Sequence, residues 1–318
     1  MQGRRLGSAV LVALVALLLG MTVGLSQLSA ATIQYSLTAE WGKTGSGEGE
    51  FLRVAGIDVD AGGNVYTSDG VLGRIQKFSS EGTYLSGWGG LGSANGRFTG
   101  LQDVAVDFAG NVYALDLVGN RVQRFSGDGD YVGGWDVIGA TLVLSRSLPF
   151  GGIATDGSGD VYVASSAHAG VVVFDGGGNQ KRIMNVDTGA SLNVPTGIDV
   201  NGDGVTYVFD TFNRRIQLYA ADGQALAPIS GAATPDTVFR SLARGDVEVD
   251  AAGRIYVADF ANGRIHRFAV DGTFEHSFVV RDSTGRIVLP GGIAVDSSGN
   301  VYVAAYYLNK VLRFSPAA

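Results

Sequence analysis

The chain has 318 residues, 46% of them hydrophobic, which is enough to bury one large core or two small ones. It contains no cysteine, so disulfides, a thiol nucleophile and thiolate metal ligands are excluded. The formal net charge is -7, and a surface that acidic does not favour nucleic acid as a partner.

Residues 1–31 differ from the rest of the chain. Two arginines near the start precede an unbroken apolar run at residues 9–19, and the segment ends in the small residues Ala30 and Ala31. A basic start, a short apolar run and a small-residue exit are typical of a secretory signal peptide, cleaved after one of these alanines. The segment is also long enough to remain as a membrane anchor, which needs roughly 20 residues. In either case we expect residues 32–318 to act outside the cytoplasm, secreted or anchored by this segment.

Residues 32–318 contain six copies of one motif. The copies read GIDVDAGGNVYTSD, DVAVDFAGNVYALD, GIATDGSGDVYVAS, GIDVNGDGVTYVFD, DVEVDAAGRIYVAD and GIAVDSSGNVYVAA. Their shared tyrosines lie between 45 and 49 residues apart, at Tyr66, Tyr113, Tyr162, Tyr207, Tyr256 and Tyr302. A repeat of this length indicates stacked copies of one supersecondary unit.

Each copy predicts four short strands. In the first copy, apolar or alternating runs occupy residues 57–59, 65–68 and 75–78, and a last run ends near Trp88, with polar turns between them. Glycine is abundant at 49 residues and proline scarce at 6, as expected for many tight turns. No segment after residue 30 shows a convincing helical period. We therefore predict an all-β fold, a six-bladed β-propeller of four-stranded antiparallel blades.

The two ends of the chain are predicted to share one blade. The last copy stops after its third strand, at the sequence VLRFSPAA, and so lacks a fourth strand. Residues 35–42, YSLTAEWG, resemble the fourth strands TYLSGWG and DYVGGWD of the first two copies. We expect the ring to be closed by the N-terminal strand, because this pairing removes sheet edges that would otherwise promote aggregation.

The repeats resemble those of NHL-repeat proteins over residues 33–316. The shared pattern runs W-G-x-x-G-S-x-x-G-x-F, then G-I-A-V-D, then G-N-V-Y-V-A-D, then N-R-I/V-x-x-F, and residues 107–125 carry most of it. The resemblance implies a six-bladed propeller for residues 32–318. It implies no single function, because fold and activity separate easily in such scaffolds.

One enzyme class related to this family binds zinc. In peptidyl-hydroxyglycine lyases, histidines just before the G-I-A-V-D strand hold the metal, and the matching positions here are Ala55, Gln102, Gly151, Thr196, Gly245 and Gly291. None is histidine, and the three histidines of the chain, His168, His266 and His276, fall in different strands and turns. An amidating-lyase-like activity is therefore disfavoured and is kept as an alternative.

Three copies carry an acidic residue at the centre of the inner-strand motif. These residues are Asp58, Asp199 and Glu248, where the other copies have alanine. Innermost strands line the axial channel of a propeller, so the three carboxylates are predicted to converge and to hold a hard cation such as calcium. The alternative is that each pairs with an arginine or faces channel water, in which case no cofactor is expected. A bound metal would favour a metal-dependent hydrolase or lactonase.

A regular Asp–Arg pattern flanks the second turn of most copies. The acidic members are Asp69, Asp116, Asp210 and Asp259, and the basic members are Arg74, Arg121, Arg215, Arg264 and Lys310. In the third copy Ser165 and Gly170 replace both members. Because the two members are lost together, we predict that they form partly buried ion pairs that tie strands and blades.

The second turns and the blade-to-blade loops are expected on one side of the disc, because strands alternate in direction. Six side chains in the second turns are candidate binding residues: His168, Phe212, Arg214, Phe260, Tyr306 and Tyr307. The two longest blade-to-blade loops, residues 137–150 and 230–245, belong to the same side. Exposed aromatic side chains with polar neighbours often mark a binding surface. The leading prediction is a non-enzymatic binding or scaffold domain that holds a protein or a small-molecule ligand on this face.

Overall fold

The computed structural model describes residues 34–137, 151–166, 168–184, 191–230, 239 and 244–317. Helical structure in this part of the chain is limited to two 3-10 turns, Thr211–Asn213 and Phe260–Asn262. No helix among these residues has the length and apolar character needed to cross a membrane. Six four-stranded antiparallel sheets contain all of the strands except one short parallel pair.

The strands follow the order of the sequence. The chain begins with β1 (Tyr35–Trp41) and the parallel pair β2 (Lys43–Thr44) and β3 (Glu50–Phe51). Blade 1 contains β4 (Val54–Val59), β5 (Val65–Asp69), β6 (Arg74–Phe78) and β7 (Tyr84–Gly89). Blade 2 contains β8 (Leu101–Val106), β9 (Val112–Asp116), β10 (Arg121–Phe125) and β11 (Tyr131–Asp136). Blade 3 contains β12 (Ile153–Thr155), β13 (Val161–Ser165), β14 (Gly170–Phe174) and β15 (Gln180–Met184).

The second half of the chain repeats this arrangement. Blade 4 contains β16 (Pro195–Val200), β17 (Thr206–Asp210), β18 (Arg215–Tyr219) and β19 (Ile229–Ser230). Blade 5 contains β20 (Asp246–Val249), β21 (Ile255–Asp259), β22 (Arg264–Phe268) and β23 (Phe274–Val279). Blade 6 contains β24 (Pro290–Val295), β25 (Val301–Ala305), β26 (Lys310–Pro316) and β1. The first strands of neighbouring blades contact each other all the way round, so they enclose a central channel. The predicted six-bladed propeller is confirmed.

β1 completes blade 6, as predicted from the sequence. It pairs antiparallel with β26, from Tyr35 opposite Pro316 to Trp41 opposite Val311. An ion pair between Glu40 and Lys310 adds a side-chain contact between the same two strands. The N-terminal strand therefore closes the ring, and every blade has four strands.

Each of the three tryptophans packs against a glycine turn of the following blade. The pairs are Trp41 with Gly82, Trp88 with Gly129, and Trp135 with Gly178. A Cβ added to any of these glycines would lie 2.5–2.6 Å from the indole ring. In later blades Met184 faces Gly223 and Ile229 faces Gly272 in the same manner. The W-G element thus repeats at the blade spacing because it joins one blade to the next.

The shared tyrosine holds the first turn of its own blade. In blade 1 the Tyr66 hydroxyl donates to Asp60 at 3.1 Å, and Asp60 also accepts from the N–H groups of Gly62 and Asn64. The same hydroxyl-to-aspartate bond, 2.9–3.2 Å long, recurs at Tyr113–Asp107, Tyr162–Asp156, Tyr256–Asp250 and Tyr302–Asp296. The motif that reveals the repeat is therefore turn and strand chemistry.

The predicted Asp–Arg pairs form in blades 2 and 4. Arg121 Nε lies 3.2 Å from Asp116 Oδ2, and Arg215 Nε lies 2.8 Å from Asp210 Oδ2. Both aspartates are fully buried, so in each pair the guanidinium compensates a carboxylate charge that is shielded from water.

The prediction is wrong for blade 1. Asp69 accepts hydrogen bonds from the main-chain N–H groups of Leu52 and Leu72. Arg74 instead donates to the carbonyl oxygen of Glu50 at 2.7 Å. In this blade the carboxylate is held by main-chain donors, and the guanidinium binds carbonyl oxygens of the loop that enters the blade.

The prediction is also wrong for blade 5. Nε2 of the buried His266 lies 3.3 Å from Asp259 Oδ2, and Asn262 donates its side-chain amide to the same oxygen. Arg264 donates to the Ser277 hydroxyl at 3.1 Å. A histidine in the third strand thus takes the place that the arginine was expected to fill.

Blades 4 and 5 provide a matched test of these assignments. We predict a coupling energy of about 1–3 kcal/mol in the double-mutant cycle of Asp210→Ala with Arg215→Met, because either single change leaves a desolvated charge unpaired. The cycle of Asp259→Ala with Arg264→Met is the control and should be additive within about 0.5 kcal/mol. Urea unfolding measures both cycles. Equal coupling in the two blades would contradict the assignment.

The tryptophan contact at the closing blade gives a second prediction. Gly82→Ala should destabilise the fold by about 2–4 kcal/mol, because the new methyl group strains a residue at φ +85° and overlaps the Trp41 ring. Gly110→Ala is the matched control, since Gly110 has φ +80° and no atom lies within 4 Å of an added Cβ. Its expected cost is about 1 kcal/mol. Thermal unfolding compares the two variants, and equal losses would show that the Trp41 contact does not stabilise the ring.

Candidate binding face and central channel

The loops divide between two faces of the disc. Second turns and blade-to-blade loops form the second-turn face, whose described loops are residues 42–53, 70–73, 90–100, 117–120, 137, 151–152, 166, 168–169, 191–194, 211–214, 239, 244–245, 260–263, 280–289 and 306–309. First and third turns form the first-turn face, with loops at residues 60–64, 79–83, 107–111, 126–130, 156–160, 175–179, 201–205, 220–224, 250–254, 269–273 and 296–300. Most of the long loops at residues 137–150 and 230–245, predicted to join the second-turn face, lie outside the described residues.

Three of the predicted binding residues form one aromatic cluster on the second-turn face. The ring centroid of Phe260 lies 6.3 Å from that of Tyr306 and 5.9 Å from that of Tyr307, and the two tyrosine rings are 5.0 Å apart. Tyr307 is 68% exposed, whereas Phe260 is only 8% exposed. Phe260 therefore supports the tyrosines from below, and Tyr307 presents the contact surface.

The backbone explains why Phe260 turns inward. It begins the 3-10 turn Phe260–Asn262, where the Asp259 side chain accepts from the N–H of Asn262 and Gly263 ends the turn at φ +60°. The guanidinium of Arg244 lies over the Tyr306 ring at 4.4 Å, so the cluster also holds a cation–π contact at the channel mouth. The sequence pattern did not single out Arg244, because it precedes an inner strand in one copy only.

The other three predicted binding residues lie in blades 3 and 4. Phe212 is 41% exposed in the turn Thr211–Asn213, and Arg214 follows it in the left-handed region at φ 55°. Nδ1 of His168 lies 3.1 Å from the Ser165 hydroxyl, and burial lowers the pKa of His168 below its usual value. These residues share the second-turn face with the aromatic cluster, but no ring contact joins them to it among the described residues.

Exposed apolar side chains are concentrated on the second-turn face. Among the described residues, seven large apolar side chains on this face are 38–68% exposed: Leu52, Val71, Leu91, Val118, Phe212, Ile287 and Tyr307. The first-turn face has two, Phe108 and Val270. Five of the seven were not predicted, because each lies in a different loop and no shared motif connects them.

The channel contains the three predicted carboxylates and two more. Asp58, Asp199 and Glu248 line a cavity of about 170 Å³ that extends to the first-turn face, where Ala61 and Phe108 border it. Asp103 and Asp246 line the same cavity. They lie two positions before the motif centre, where the other four copies have glycine. Aspartate in place of glycine at this position could have revealed the second set of channel acids from the sequence alone.

Each channel carboxylate accepts a hydrogen bond from the inner strand of the next blade. The donors are the N–H groups of Val106 to Asp58 at 2.6 Å, Ile153 to Asp103 at 3.1 Å, Val249 to Asp199 at 2.7 Å, Ile293 to Asp246 at 3.0 Å, and Val295 to Glu248. Neighbouring inner strands do not pair as a sheet, so their N–H groups need such acceptors. The acids therefore join the blades around the channel.

Glycine in the preceding blade makes room for two of these acids. A Cβ added at Gly56 would lie 2.7 Å from Asp103 Cα, and one at Gly197 would lie 2.6 Å from Asp246 Cα. At this level of the channel, a Cβ in one blade would approach the main chain of the next blade too closely. The close approach explains why glycine occupies these inner-strand positions.

Burial in the channel favours the neutral form of these carboxyl groups. It raises the pKa of Asp58 to about 8, of Asp199 to about 7 and of Asp103 to about 6, while the hydrogen bonds from N–H groups act in the opposite direction. Burial, reinforced by the charges of neighbouring acids, also raises the pKa of Asp246 and Glu248. Burial and charge repulsion therefore oppose the ionisation of all five channel carboxyl groups at once.

The described residues contain no group of three acidic or histidine side chains placed to hold a metal. Asp58 has both carboxylate oxygens bonded to N–H groups, those of Val59 and Val106. The calcium site at Asp58, Asp199 and Glu248 remains a prediction. If a cation binds, these three residues and their lining neighbours would be its ligands.

The six positions matched to the zinc ligands of the lyases converge at the second-turn mouth of the channel. Ala55, Gln102, Gly151, Thr196, Gly245 and Gly291 line a space of only about 10 Å³ there, together with Arg244. The six positions supply an amide and a hydroxyl but no imidazole.

No protein-family model matches the chain, and no curated protein matches it. Among solved structures it is similar to streptogramin B lyase, with 13% identity, 91% of this chain and 100% of that chain covered, and a TM-score of 0.62. A protein of unknown function from Bacteroides thetaiotaomicron has 16% identity, coverage of 89% and 76%, and a TM-score of 0.65. A chain of the nidogen/laminin complex has 16% identity, coverage of 71% and 80%, and a TM-score of 0.54. These likenesses establish the β-propeller class and nothing finer.

The channel acids predict an unusual dependence of stability on pH. Their pKa values are higher in the folded protein than in the unfolded chain, where they are about 4, so the folded state binds more protons between about pH 4 and 8. The stability they contribute is complete below that window and falls as pH rises through it. We expect a higher melting temperature at pH 5.5 than at pH 8.5.

Replacing two of the acids should reduce this difference. The variant Asp58→Asn with Asp199→Asn removes two titrating groups, and Asp128→Asn with Asp222→Asn, in exposed turns of the first-turn face, is the control. Melting temperatures at the two pH values are compared for all three proteins. A pH difference that is the same in the channel variant as in the parent would contradict the prediction.

Proposed function

We propose that this protein is a non-enzymatic binding or scaffold domain of the NHL-repeat type, and that its second-turn face holds a protein partner outside the cytoplasm. The observation that carries the proposal is the concentration of exposed apolar side chains on this face, seven against two on the other. Exposed apolar groups gathered on one surface of a soluble domain favour association there.

A protein fits this face better than a small molecule does. The apolar side chains extend over loops of blades 1, 2, 4 and 6 and the connections between blades, from Leu52 to Tyr307. The channel mouth on the same face offers only about 10 Å³, whereas small-molecule pockets usually measure about 300–1,000 Å³. A broad, shallow surface with aromatic anchors is typical of protein interfaces.

Two further observations support the proposal. The NHL-type motifs recur in register through all six blades, and one similar chain comes from the nidogen/laminin complex, a complex between proteins. The export assignment is supported by the basic, apolar and small-residue pattern of residues 1–31. The same segment would tether the propeller to a membrane if it is retained.

Catalysis is the alternative, because streptogramin B lyase is among the similar structures. The strongest chemical groups in the described residues are the channel carboxyls. Each of these accepts a backbone N–H of the next blade, which supports a structural role for them. A binding function needs no further chemistry from the channel, and for this reason we favour it.

Variants on the two faces test the proposal directly. Phe212→Ser with Tyr307→Ser should abolish capture of the partner, because aromatic anchors at an interface commonly contribute about 2 kcal/mol or more each. Both side chains are exposed, so the melting temperature should change little. The matched control is Phe108→Ser with Val270→Ser, which removes two apolar groups that are 81% and 62% exposed on the first-turn face.

The measurement is cross-linking and pull-down from the cell envelope fraction, with bound proteins identified by mass spectrometry. A true partner is captured by the parent and by the first-turn variant and is lost from the second-turn variant. If all three proteins capture the same set, or only the first-turn variant loses a partner, the second-turn face is not the binding surface.

A further inference from the structure

The two faces of the disc differ more in their charged residues than in their exposed apolar side chains. The described loops of the second-turn face carry seven basic and three acidic residues. The loops of the first-turn face carry thirteen acidic residues and one basic residue, Arg254. A chain with a net charge of -7 therefore presents a locally basic surface on the side where its apolar groups are exposed.

The acids on the second-turn face are largely neutralised by their own surroundings. Glu50 lies 3.1 Å from Lys43 Nζ. Asp282 is buried and accepts from the N–H groups of Thr284 and Arg286 in its own turn. In the part of the chain that the structure describes, no carboxylate forms an ion pair with the exposed guanidinium groups of Arg53, Arg214 and Arg286.

Basic side chains lie next to the exposed apolar ones in the chain. Leu52 is followed by Arg53, Ile287 is preceded by Arg286, and Phe212 is followed two residues later by Arg214; all three arginines are exposed. Each pair combines an apolar contact with a guanidinium, which binds a carboxylate through two hydrogen bonds in a fixed geometry.

The channel mouth continues this pattern toward the centre of the face. Arg244 is 8% exposed, stacks on Tyr306 and lines the mouth beside Gln102 and Thr196. Burial lowers the pKa of Arg244, the nearby Tyr306, Asp103 and Asp246 act in the opposite direction, and the charge of Arg53 lowers it. Arg53, which is exposed, therefore adds a second positive charge close to Arg244 at this mouth.

We propose that the partner of the second-turn face is an acidic polypeptide segment that also carries apolar side chains. Its carboxylates pair with the exposed arginines, and its apolar groups contact the leucine, isoleucine and aromatic side chains beside them. This inference rests on the proposed binding function and adds the chemical class of the partner.

Other anionic partners match the surface less well. Five of the seven exposed apolar side chains are aliphatic, and these offer no flat ring on which the bases of a nucleic acid could stack. The helical structure of the described residues is limited to two 3-10 turns, so they offer no amphipathic helix of the kind that lies in a membrane interface. A polypeptide supplies carboxylates and apolar side chains together.

The test uses the full chain, purified as the expression host processes it, and fluorescently labelled random copolymers as probes. Poly(Glu,Tyr) should bind, and poly(Lys,Tyr) should not. Binding should weaken at least tenfold between about 50 mM and 500 mM salt, because rim charges are screened. The variant Arg53→Gln, Arg214→Gln and Arg286→Gln should weaken poly(Glu,Tyr) binding about tenfold or more at low salt.

The matched control neutralises three exposed acids on the other face: Asp128→Asn, Asp222→Asn and Asp271→Asn. This variant should bind poly(Glu,Tyr) at least as tightly as the parent. Equal weakening in both triple variants, or none in the arginine variant, would overturn the inference. Preferential binding of poly(Lys,Tyr) would overturn it as well.

Three further arms identify a different occupant. Arginine-dependent binding of oligouridylate, or of phosphatidylglycerol vesicles, in the absence of poly(Glu,Tyr) binding would replace the acidic polypeptide by a nucleic acid or a lipid surface. Salt-sensitive self-association in the ultracentrifuge, lost in both triple variants, would identify a second copy of this chain, whose first-turn face is acidic.

The two proposals fail separately. If Phe212→Ser with Tyr307→Ser removes a captured envelope protein while the arginine variant retains it and poly(Glu,Tyr) does not bind, the binding face stands and the acidic chemistry is wrong. If poly(Glu,Tyr) binds in an arginine-dependent manner and no protein depends on the aromatic pair, the charged surface stands and the proposed protein partner falls.

Discussion

The pairing of β1 with β26 is the contact on which the rest of the structure depends. A row of stacked sheets has a free edge at each end, and here the two ends of the chain meet in one blade, Tyr35 opposite Pro316 and Trp41 opposite Val311. Closure requires the rotations between successive blades to add up to a full turn, which places six inner strands around one axis. The Trp41 ring then reaches Gly82 of blade 1 with the same geometry that Trp88 and Trp135 have in their blades. The channel, the two faces and their charges all follow from this circular arrangement.

The channel shows how the ring is held from the inside. Inner strands of adjacent blades run side by side without a regular ladder, so some of their N–H groups would be left without acceptors. Acidic side chains supply those acceptors, and glycine in the neighbouring blade provides the space, as at Gly56 beside Asp103. The same burial that makes these bonds useful raises the pKa values of the acids, and the charges of neighbouring acids add to this at Asp58, Asp246 and Glu248. The residues that join the blades are therefore the same ones whose ionisation is unfavourable.

The two faces differ because the loops on them have different structural tasks. First turns must close tight hairpins, and aspartate does this by accepting N–H groups and the tyrosine hydroxyl, as Asp60 does. The first-turn face is therefore acidic as a consequence of folding. Loops on the second-turn face carry fewer such constraints, and there the chain places arginines beside exposed apolar side chains such as Leu52 and Ile287. A surface that folding does not require is where a binding function is expected.

The sequence by itself determined the class of fold, the number of blades and the closing strand, because a repeat with a local turn motif needs only short-range information to be recognised. It also placed Asp58, Asp199 and Glu248 in the channel, since strand alternation dictates which residues face the axis. Only the tertiary structure decided which side chains contact each other. Asp259 contacts His266 and not Arg264, and Phe260 is buried beneath Tyr307. Most of the exposed apolar and basic surface was likewise not identified from the sequence pattern, because its members come from separate loops that only the closed ring brings to one face.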